Sequence, residues 1–261
     1  MIKFDNESIL VGSKKISAVP IKPFEPSVIN FLDNISKEIQ KDTNKEFNSE
    51  IKTFGFFCRK KNIQKLKKIH FIEKDGMMRL GLGLAFHVTP SNMPTNFAYS
   101  LVFSLLCGNA NIIKLPSQNF LEIEQLCLVF NKVLKKFPKI KRFILIVKTE
   151  NSEQFSKKVS EFSDLRIIWG GNQTINKLKE IKTHERCRDL YFPNRNSFCV
   201  INLDEISKKK EYEIINICRS FYNDTFLVDQ NACSSPHLIY WIGKKNKKII
   251  NIFWKSLEKV I

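Results

Sequence analysis

The sequence lacks the features that identify a membrane or secreted protein. None of its 261 residues lies in an apolar run long enough to span a bilayer, and the first residues form no basic-then-apolar leader with a cleavage site. We therefore expect a cytoplasmic protein without a membrane span. Internal repeats and low-complexity segments are also lacking, and 43% hydrophobic with 26% charged residues are ordinary values for a globular protein. The length allows one large domain or two small ones with a buried core.

Metal-binding cysteine spacing is lacking as well. The seven cysteines include no CxxC pair and no histidine at zinc-finger spacing, and the HERC segment at residues 184–187 has no second histidine one helical turn away. We therefore expect no metal site. Thiols stay reduced in the cytoplasm, and most of these should be buried as small hydrophobic side chains. On sequence alone, seven cysteines are equal candidates for a nucleophile: Cys58, Cys107, Cys127, Cys187, Cys199, Cys218 and Cys233.

Acidic residues are scarce relative to basic ones. The chain has 43 Lys and Arg against 26 Asp and Glu, a formal net charge of +17. The excess is mostly Lys and is spread along the chain, and the basic runs at residues 208–210 and 244–248 contain no interleaved aromatic residues. We interpret these runs as solvated loops or helix ends. The sequence therefore predicts no nucleic-acid partner, and a nucleic-acid binder ranks last among our hypotheses.

Hydrophobic periodicity predicts an α/β protein. Residues 1–75 are polar and mixed, with a helix over 28–39 that has Ser27 as its N-cap and, over 63–72, a second helix or a helix running into a strand. From Gly76 onward, apolar runs alternate with segments of helical spacing, which is typical of a parallel sheet. The predicted strands lie in residues 78–89, 110–115, 143–147, 165–169, 198–202 and 238–242. The predicted helices lie in residues 96–107, 121–137, 153–162, 175–181, 211–222 and 249–261.

The glycine pair Gly81 and Gly83 invites comparison with a dinucleotide-binding fingerprint. A third glycine is lacking, and the pair lies inside an apolar run instead of at a strand-to-helix turn. We interpret it as part of a strand whose backbone closely approaches a neighbour.

Three other segments occur in an informative order. They are TPSNMP at residues 89–94, GNANIIKLPS at 108–117 and DQNACSSP at 229–236. Separately they predict a proline-rich loop, a strand with an exposed lysine and a turn containing a cysteine. Together they resemble the aldehyde dehydrogenase superfamily and, within it, the acyl-CoA reductase family that includes the reductase of bacterial bioluminescence. The WGG turn at residues 169–171 is similar to that branch, and the resemblance runs from about residue 76 to the C-terminus.

The resemblance implies an aldehyde-dehydrogenase-like fold. Residues 1–75 would form an N-terminal helical or mixed segment, residues 76–190 a Rossmann-like parallel-sheet cofactor domain, and residues 191–261 the start of a catalytic α/β domain. Family members continue well past their catalytic cysteine. We therefore expect a C-terminally truncated protein with an incomplete acyl pocket, either a homo-oligomer or a partner of a complementing C-terminal half, and we doubt that this chain is active alone.

The resemblance also implies a catalytic cysteine. Cys233 matches the family's nucleophile, and thiolates both attack acyl carbon and leave it readily. Asn92 matches the residue whose side-chain amide, together with the backbone N–H of Cys233, would hold the oxyanion of the tetrahedral intermediate. The alternative role for Asn92 is an Asx turn in a proline-rich loop.

A nicotinamide cofactor is implied at the carboxyl ends of the strands. By the resemblance, Thr89 and Ser91 line the loop, Lys114 reaches the adenosine ribose, and Gly170 with Gly171 lets the backbone approach the pyrophosphate. NAD-preferring members often have an acid at the position of Ser117. Serine does not repel a 2′-phosphate and Lys114 favours one, so NADPH is expected over NAD.

The implied reaction reduces a fatty acyl-CoA or acyl carrier thioester to an aldehyde. Residues 191–197 align with a segment that carries a water-activating Glu in aldehyde-oxidising relatives, and they contain no acid. Two alternatives stay open. An oxidative aldehyde dehydrogenase predicts an acid within reach of a water near Cys233, and a non-catalytic binding or assembly remnant predicts an exposed apolar face.

Overall fold

The structure, a computed structural model, describes residues 8–42, 46–71, 76–150, 152–227 and 229–261. Its backbone contacts divide the chain into two units, Met1–Pro193 and Asn194–Ile261. No helix in these described ranges is both long and apolar enough to cross a membrane.

The first unit is built on a six-stranded mixed sheet with the order β1-β4-β3-β2-β5-β6. The four strands β2 to β5 and the edge strand β6 run parallel, and β1 pairs antiparallel with β4. The strands are β1 Ser8–Gly12, β2 Leu84–Val88, β3 Ala110–Lys114, β4 Ile144–Lys148, β5 Leu165–Trp169 and β6 Arg188–Phe192.

Helices cover both faces of this sheet. Residues from α1 to α6 pack with Ile113, Ile144 and Ile146 on one face, and residues from α7 and α8 pack with Ile112 and Leu145 on the other. Covering on both faces explains why the central strands are almost continuously apolar. The helices are α1 Pro26–Gln40, α2 Ser49–Phe57, α3 Lys60–His70, α4 Asn96–Leu106, α5 Leu121–Leu134, α6 Pro138–Lys141, α7 Ser152–Ser160 and α8 Asn172–Lys179.

The second unit has two parallel strands, β7 Ser197–Asn202 and β8 Pro236–Ile242. Its helices are α9 Leu203–Ser207, α10 Glu211–Thr225 and α11 Lys247–Glu258. One face of the sheet packs on these helices around the buried side chain of Phe253. The other face is apolar and exposed, and it consists of Phe198, Val200, Leu238, Tyr240 and Ile242.

The fold confirms the predicted α/β class and corrects several local expectations. Ser27 is not the N-cap of α1, because Glu25 takes that position and Pro26 begins the helix with its preset backbone angle. The strand predicted at residues 78–89 is only β2. Gly81 and Gly83 precede it, and a Cβ at Gly81 would lie 2.3 Å from the carbonyl oxygen of Gly108. That spacing confirms the close backbone approach but not the strand.

The sequence also left some elements unrecognised. Strands β1 and β6 and helices α2, α6 and α9 had no prediction. Helix α3 covers most of the predicted apolar stretch at residues 63–72, whose last residue, Ile72, lies outside the described residues. Because β1 pairs with β4, a strand from the first 75 residues belongs to the sheet that the predicted cofactor domain forms.

Candidate active site

The carboxyl ends of the parallel strands place most of the predicted site residues together. From β2 the chain adds β3 and β4 on one side and then returns to add β5 and β6 on the other. The strand order therefore reverses between β2 and β5, and in open α/β sheets ligands bind in the crevice outside such a reversal. The loop after β2 and the Gly170–Gly171 turn after β5 flank this crevice.

The loop after β2 is anchored at its start and exposed at its tip. Thr89 is buried, and its N–H and Oγ1 both donate to the carbonyl oxygen of Lys114, at 3.4 and 3.0 Å. Ser91 and Asn92 are exposed. Farther along, the Thr95 hydroxyl donates to the Glu50 carboxylate at 3.0 Å. Thr89 thus joins the loop to β3, and Ser91 and Asn92 are the polar side chains that the tip presents.

Two lysines end neighbouring strands at the same edge. The ammonium of Lys114 contacts the hydroxyl of Ser152, the first residue of α7, and that of Lys148 contacts the side-chain oxygen of Asn119. Burial lowers the pKa of Lys114. Within the described ranges, neither ammonium forms an ion pair with a carboxylate. Uncompensated cations beside hydroxyl and amide groups, with Ser117 exposed nearby, suit a phosphate.

Sequence reasoning selected Lys114 and missed Lys148. The signal that could have found Lys148 was its position in the chain. Lys148 directly follows the predicted strand at residues 143–147, and Lys114 lies near the end of the predicted strand at residues 110–115. Carboxyl ends of parallel strands meet at one edge, so Lys148 was predictable at the same edge as Lys114, and the structure places the two residues on adjacent strands.

The glycine turn leads directly into α8. Gly171 is the N-cap residue of α8, whose first turn has no side-chain cap. The N–H of Gly170 donates to the carbonyl oxygen of Phe192 at 3.2 Å, and a Cβ there would lie 3.3 Å from the Thr174 side chain. The turn is therefore tight, and the uncapped amides at the start of α8 are oriented as in anion sites at helix N-termini.

Cys233 lies in the second unit, in the turn between α10 and β8, and its side chain is exposed. Its carbonyl oxygen accepts from the Ser197 hydroxyl at 2.7 Å, which ties the turn to the start of β7. Asp229 and Gln230, just before it, have left-handed backbone angles with φ of 49° and 58°. Two such residues in succession store backbone strain, which is concentrated at functional sites in many proteins.

The other six thiols are poorer candidates for a nucleophile. Burial raises the pKa of all six, to about 12 for Cys127 and about 11 for Cys218. Cys107 is exposed as a residue, yet burial of its sulfur raises its pKa. Because the thiolate is the nucleophilic form, a raised pKa lowers reactivity at neutral pH. The choice of Cys233 rests on its exposed side chain and on the motif around it.

The segment at residues 191–197 joins the end of β6 to the start of β7 and contains no acid. The acid beside it is Asp189, which accepts from Arg166 Nε and Nη2 at 2.7 and 2.6 Å and from the Tyr191 hydroxyl. Although burial raises its pKa, these hydrogen bonds and the charge of Arg166 hold the pKa of Asp189 below its ordinary value. A carboxylate held in this way is a weak base.

Comparison with known proteins identifies the family to which the chain is similar. The model of the family described as acyl-CoA reductase (LuxC) matches residues 37–258. A long-chain acyl-protein thioester reductase from Photorhabdus luminescens is 26% identical over 164 residues, which are 62% of this chain and 32% of that protein. One from Aliivibrio fischeri is 25% identical over 179 residues, 68% of this chain and 36% of that protein. The matched part of the chain thus spans about a third of these relatives.

Solved structures show the same fold. An oxidoreductase from Marinobacter aquaeolei superposes with a TM-score of 0.63 at 14% identity, over 95% of this chain and 54% of that one. A glyceraldehyde-3-phosphate dehydrogenase from Methanocaldococcus jannaschii, complexed with NADP, has a TM-score of 0.59 at 14% identity, over 88% of this chain and 53% of that one. These likenesses confirm the aldehyde-dehydrogenase-like fold.

Proposed function

The chain belongs to the acyl-CoA reductase (LuxC) family, and from this premise we propose that it carries the dinucleotide-binding sheet and the nucleophile of an aldehyde-forming thioester reductase. The substrate would be a long-chain acyl-CoA or acyl-protein thioester, and the cofactor NADPH. The Photorhabdus and Aliivibrio relatives are named long-chain acyl-protein thioester reductases, which supports this substrate class.

The donor set at the carboxyl edge fits a phosphorylated dinucleotide. Lys114 and Lys148 would pair with the adenosine 2′-phosphate, whose two charges the nearby lysines can compensate. The Gly170–Gly171 turn and the uncapped amides of α8 would receive the pyrophosphate. The loop tip with Ser91 would line the bound molecule. Bound NADPH supplies a hydride, and this chain's residues supply orientation and a leaving group.

Cys233 would carry the covalent chemistry. Its thiolate attacks the thioester carbonyl carbon, a new carbon–sulfur bond forms, and the bond to the donor thiol breaks, so that the donor leaves as a thiolate and takes a proton. The Asn92 amide and the Cys233 N–H would donate to the oxyanion. After hydride reaches the acyl carbon, the bond to Cys233 breaks, the aldehyde leaves and the Cys233 thiolate is restored.

The single observation that carries the reductive direction is the environment of residues 191–197. No acid lies in this segment, and the neighbouring Asp189 is bound by Arg166. An acyl-cysteine that no base helps water to hydrolyse persists until hydride or a second thiol attacks it. The oxidative alternative needs such a base, and it predicts rapid hydrolysis of the acylated protein.

Completion of the catalytic unit is part of the proposal. The open apolar face of β7 and β8 is where a second copy or a complementing C-terminal half would pack.

Acyl labelling tests the proposal. The chain is incubated with an alkyne-tagged long-chain acyl-CoA without NADPH, and the modified residue is located by mass spectrometry. We expect label on Cys233, its loss in Cys233→Ala, and its retention in Cys107→Ala, the matched variant at the other exposed thiol. Equal labelling of wild type and Cys233→Ala would contradict the proposal. If water releases the label as free acid faster than NADPH releases it as aldehyde, the oxidative alternative is favoured.

A further inference from the structure

A chain of buried polar side chains crosses the first unit from β3 to the end of β5. Asn111 and His87 are fully buried and Ser100 nearly so. His87 contacts Asn111 Oδ1 through Nε2 at 2.9 Å and Ser100 Oγ through Nδ1 at 2.8 Å. Ser100 Oγ in turn accepts from the indole N–H of Trp169 at 3.2 Å. Four elements, β3, β2, α4 and β5, are thus joined by one continuous set of hydrogen bonds.

The direction of every bond in this chain is fixed. The Asn111 amide nitrogen donates to the carbonyl oxygens of Asn109 and Phe143, so its oxygen faces His87. An amide oxygen only accepts, so His87 Nε2 carries the hydrogen. Burial keeps the imidazole neutral by lowering its pKa to about 4, which leaves Nδ1 as an acceptor for the Ser100 hydroxyl. The Ser100 oxygen is then free to accept from the indole, so the chain ends by fixing the position of Trp169.

Trp169 lies at the carboxyl end of β5, beside the crevice at the strand reversal. It is the last residue of β5, directly before the Gly170–Gly171 turn, and it is half-buried. Its ring stacks face to face on Phe192 at the end of β6, with centroids 3.9 Å apart and planes within 10°. We call this pair the aromatic platform. The facing sides of the two rings cover each other, and Phe192 is 41% exposed, so the platform keeps an accessible apolar surface beside the crevice.

The strand order says which half of a dinucleotide reaches the platform. The lysine pair ends β3 and β4, on one side of the crevice, and the platform ends β5 and β6, on the other. Strands β3 and β6 are three spacings apart, roughly 14 Å, a distance that an extended dinucleotide covers. With the 2′-phosphate on the lysines and the pyrophosphate at the glycine turn, the remaining ring falls on the aromatic platform.

We propose that the Trp169–Phe192 platform holds the nicotinamide ring, and that Ser100, His87 and Asn111 are positioning residues that fix the platform through the indole N–H. This inference rests on the proposed function and adds the residues that orient the cofactor's reactive end. Flat rings gain from stacking on an aromatic surface, and a ring held at one angle presents one face to the acyl carbon.

A binding experiment tests whether the reduced nicotinamide ring binds within energy-transfer range of Trp169, as the platform requires. Trp241→Phe with Trp254→Phe leaves Trp169 as the only tryptophan of three. NADPH and adenosine 2′,5′-bisphosphate, which has no nicotinamide, are titrated separately while Trp169 emission is recorded. We expect NADPH to quench this emission by energy transfer, and the bisphosphate to bind without a comparable change.

Ser100→Ala tests the positioning chain in the otherwise unchanged protein. We expect NADPH binding, followed by the cofactor's own fluorescence, to weaken roughly three- to tenfold, the effect of one lost hydrogen bond, and bisphosphate binding to be unchanged. Ser104→Ala is the matched control, because Ser104 is equally buried on α4 but bonds to Asn109. In a Trp169→Phe background, which has no indole N–H, Ser100→Ala should have no further effect on NADPH.

The outcomes separate this inference from the proposed function. NADPH binding without a response from Trp169 overturns the platform, and equal weakening of both ligands by Ser100→Ala and Ser104→Ala overturns the positioning role. Either result leaves Cys233 acylation untouched. Failure of both ligands to bind overturns the cofactor assignment itself, and the platform with it.

Discussion

Lys114 shows how a binding residue acts against stability at the scale of one side chain. Its ammonium is partly buried beside a hydroxyl, and burial lowers its pKa. The charged form is therefore less favourable in the folded chain than in the unfolded one. Bound phosphate would supply the missing negative charge. The charge of Lys114 thus lowers the stability of the folded chain without ligand and favours the bound state when a phosphate is present.

We predict that Lys114→Met raises the thermal unfolding midpoint and weakens NADPH binding by about ten- to a hundredfold, the range for a charge-assisted hydrogen bond. The affinity for NADH, which has no 2′-phosphate, should fall much less. Thermal unfolding and cofactor titration measure the two effects. Lys135→Met, at an exposed lysine after α5, serves as control and should change neither value. A lower midpoint for Lys114→Met would contradict the account.

His87 predicts a pH dependence of stability. Its pKa falls from 6.5 to about 4 on burial, so between these values the unfolded chain binds one more proton than the folded chain. The free energy of unfolding must therefore fall as the pH falls from 6.5 toward 4, by up to about 3 kcal/mol. Above pH 6.5 both states are neutral and His87 contributes no slope.

His87→Gln should lower stability at pH 7 and remove this slope. Urea unfolding at several pH values between 7 and 4.5 measures the difference between wild type and variant. His237→Gln, at an exposed histidine of β8, is the control and should keep the wild-type slope. If the free energy of unfolding falls equally with pH in His87→Gln and in the wild type, the buried imidazole is not the source of the pH dependence.

At the scale of elements, Arg166 holds α8 in place. It extends from β5, is 3% exposed, and donates to the carbonyl oxygen of Leu178 at 2.9 Å and to that of Ile181 at 3.3 Å, near the end of α8. Its other nitrogens bind the Asp189 carboxylate of β6. One guanidinium therefore ties two strands to the helix whose opposite end follows the glycine turn.

We expect Arg166→Met to lower the free energy of unfolding by about 3 kcal/mol, because it leaves the half-buried Asp189 carboxylate uncompensated. Adding Asp189→Asn removes that charge and should recover part of the loss. Denaturant titration followed by circular dichroism compares the two variants. A double variant no more stable than the single one would show that the carboxylate is not the cause.

The same scale shows why the sequence predicted some elements and missed others. Strands β2, β3, β4 and β5 are covered on both faces, so they are apolar runs that stand out. Strand β6 alternates exposed and half-buried residues and contains Arg188 and Asp189, so it resembled a polar loop. The partner of Asp189, Arg166, is 23 positions away in the chain. Pairing across strands is not visible in local periodicity.

The candidate site divides in the same way. Cys233 and Asn92 were selected by resemblance of motifs, since composition and spacing treat all seven cysteines alike. Lys148 was within reach of strand-order reasoning. The Trp169–Ser100 bond was not, because it joins residues 69 positions apart through side chains whose orientation depends on the folded helix α4. Their roles stay predictions until the labelling and binding experiments are done.

At the scale of the whole molecule, the second unit leaves one apolar sheet face uncovered. Parallel strands are normally covered on both faces, and β7 with β8 is apolar on both. Phe198, Val200, Leu238, Tyr240 and Ile242 are each between 47% and 61% exposed. In many proteins an exposed apolar patch of this kind takes part in an interface.

We therefore expect the chain to self-associate through this face when it is the sole protein present. Sedimentation velocity should show a concentration-dependent shift toward a dimer, and Val200→Lys should abolish it, because a lysine at the centre of the face cannot be buried without a partner charge. Val19→Lys is the matched control, since Val19 is an isolated valine of the first unit, 70% exposed. A chain that stays monomeric at all concentrations, or a Val19→Lys variant that dissociates equally, would contradict self-association through the exposed face of β7 and β8.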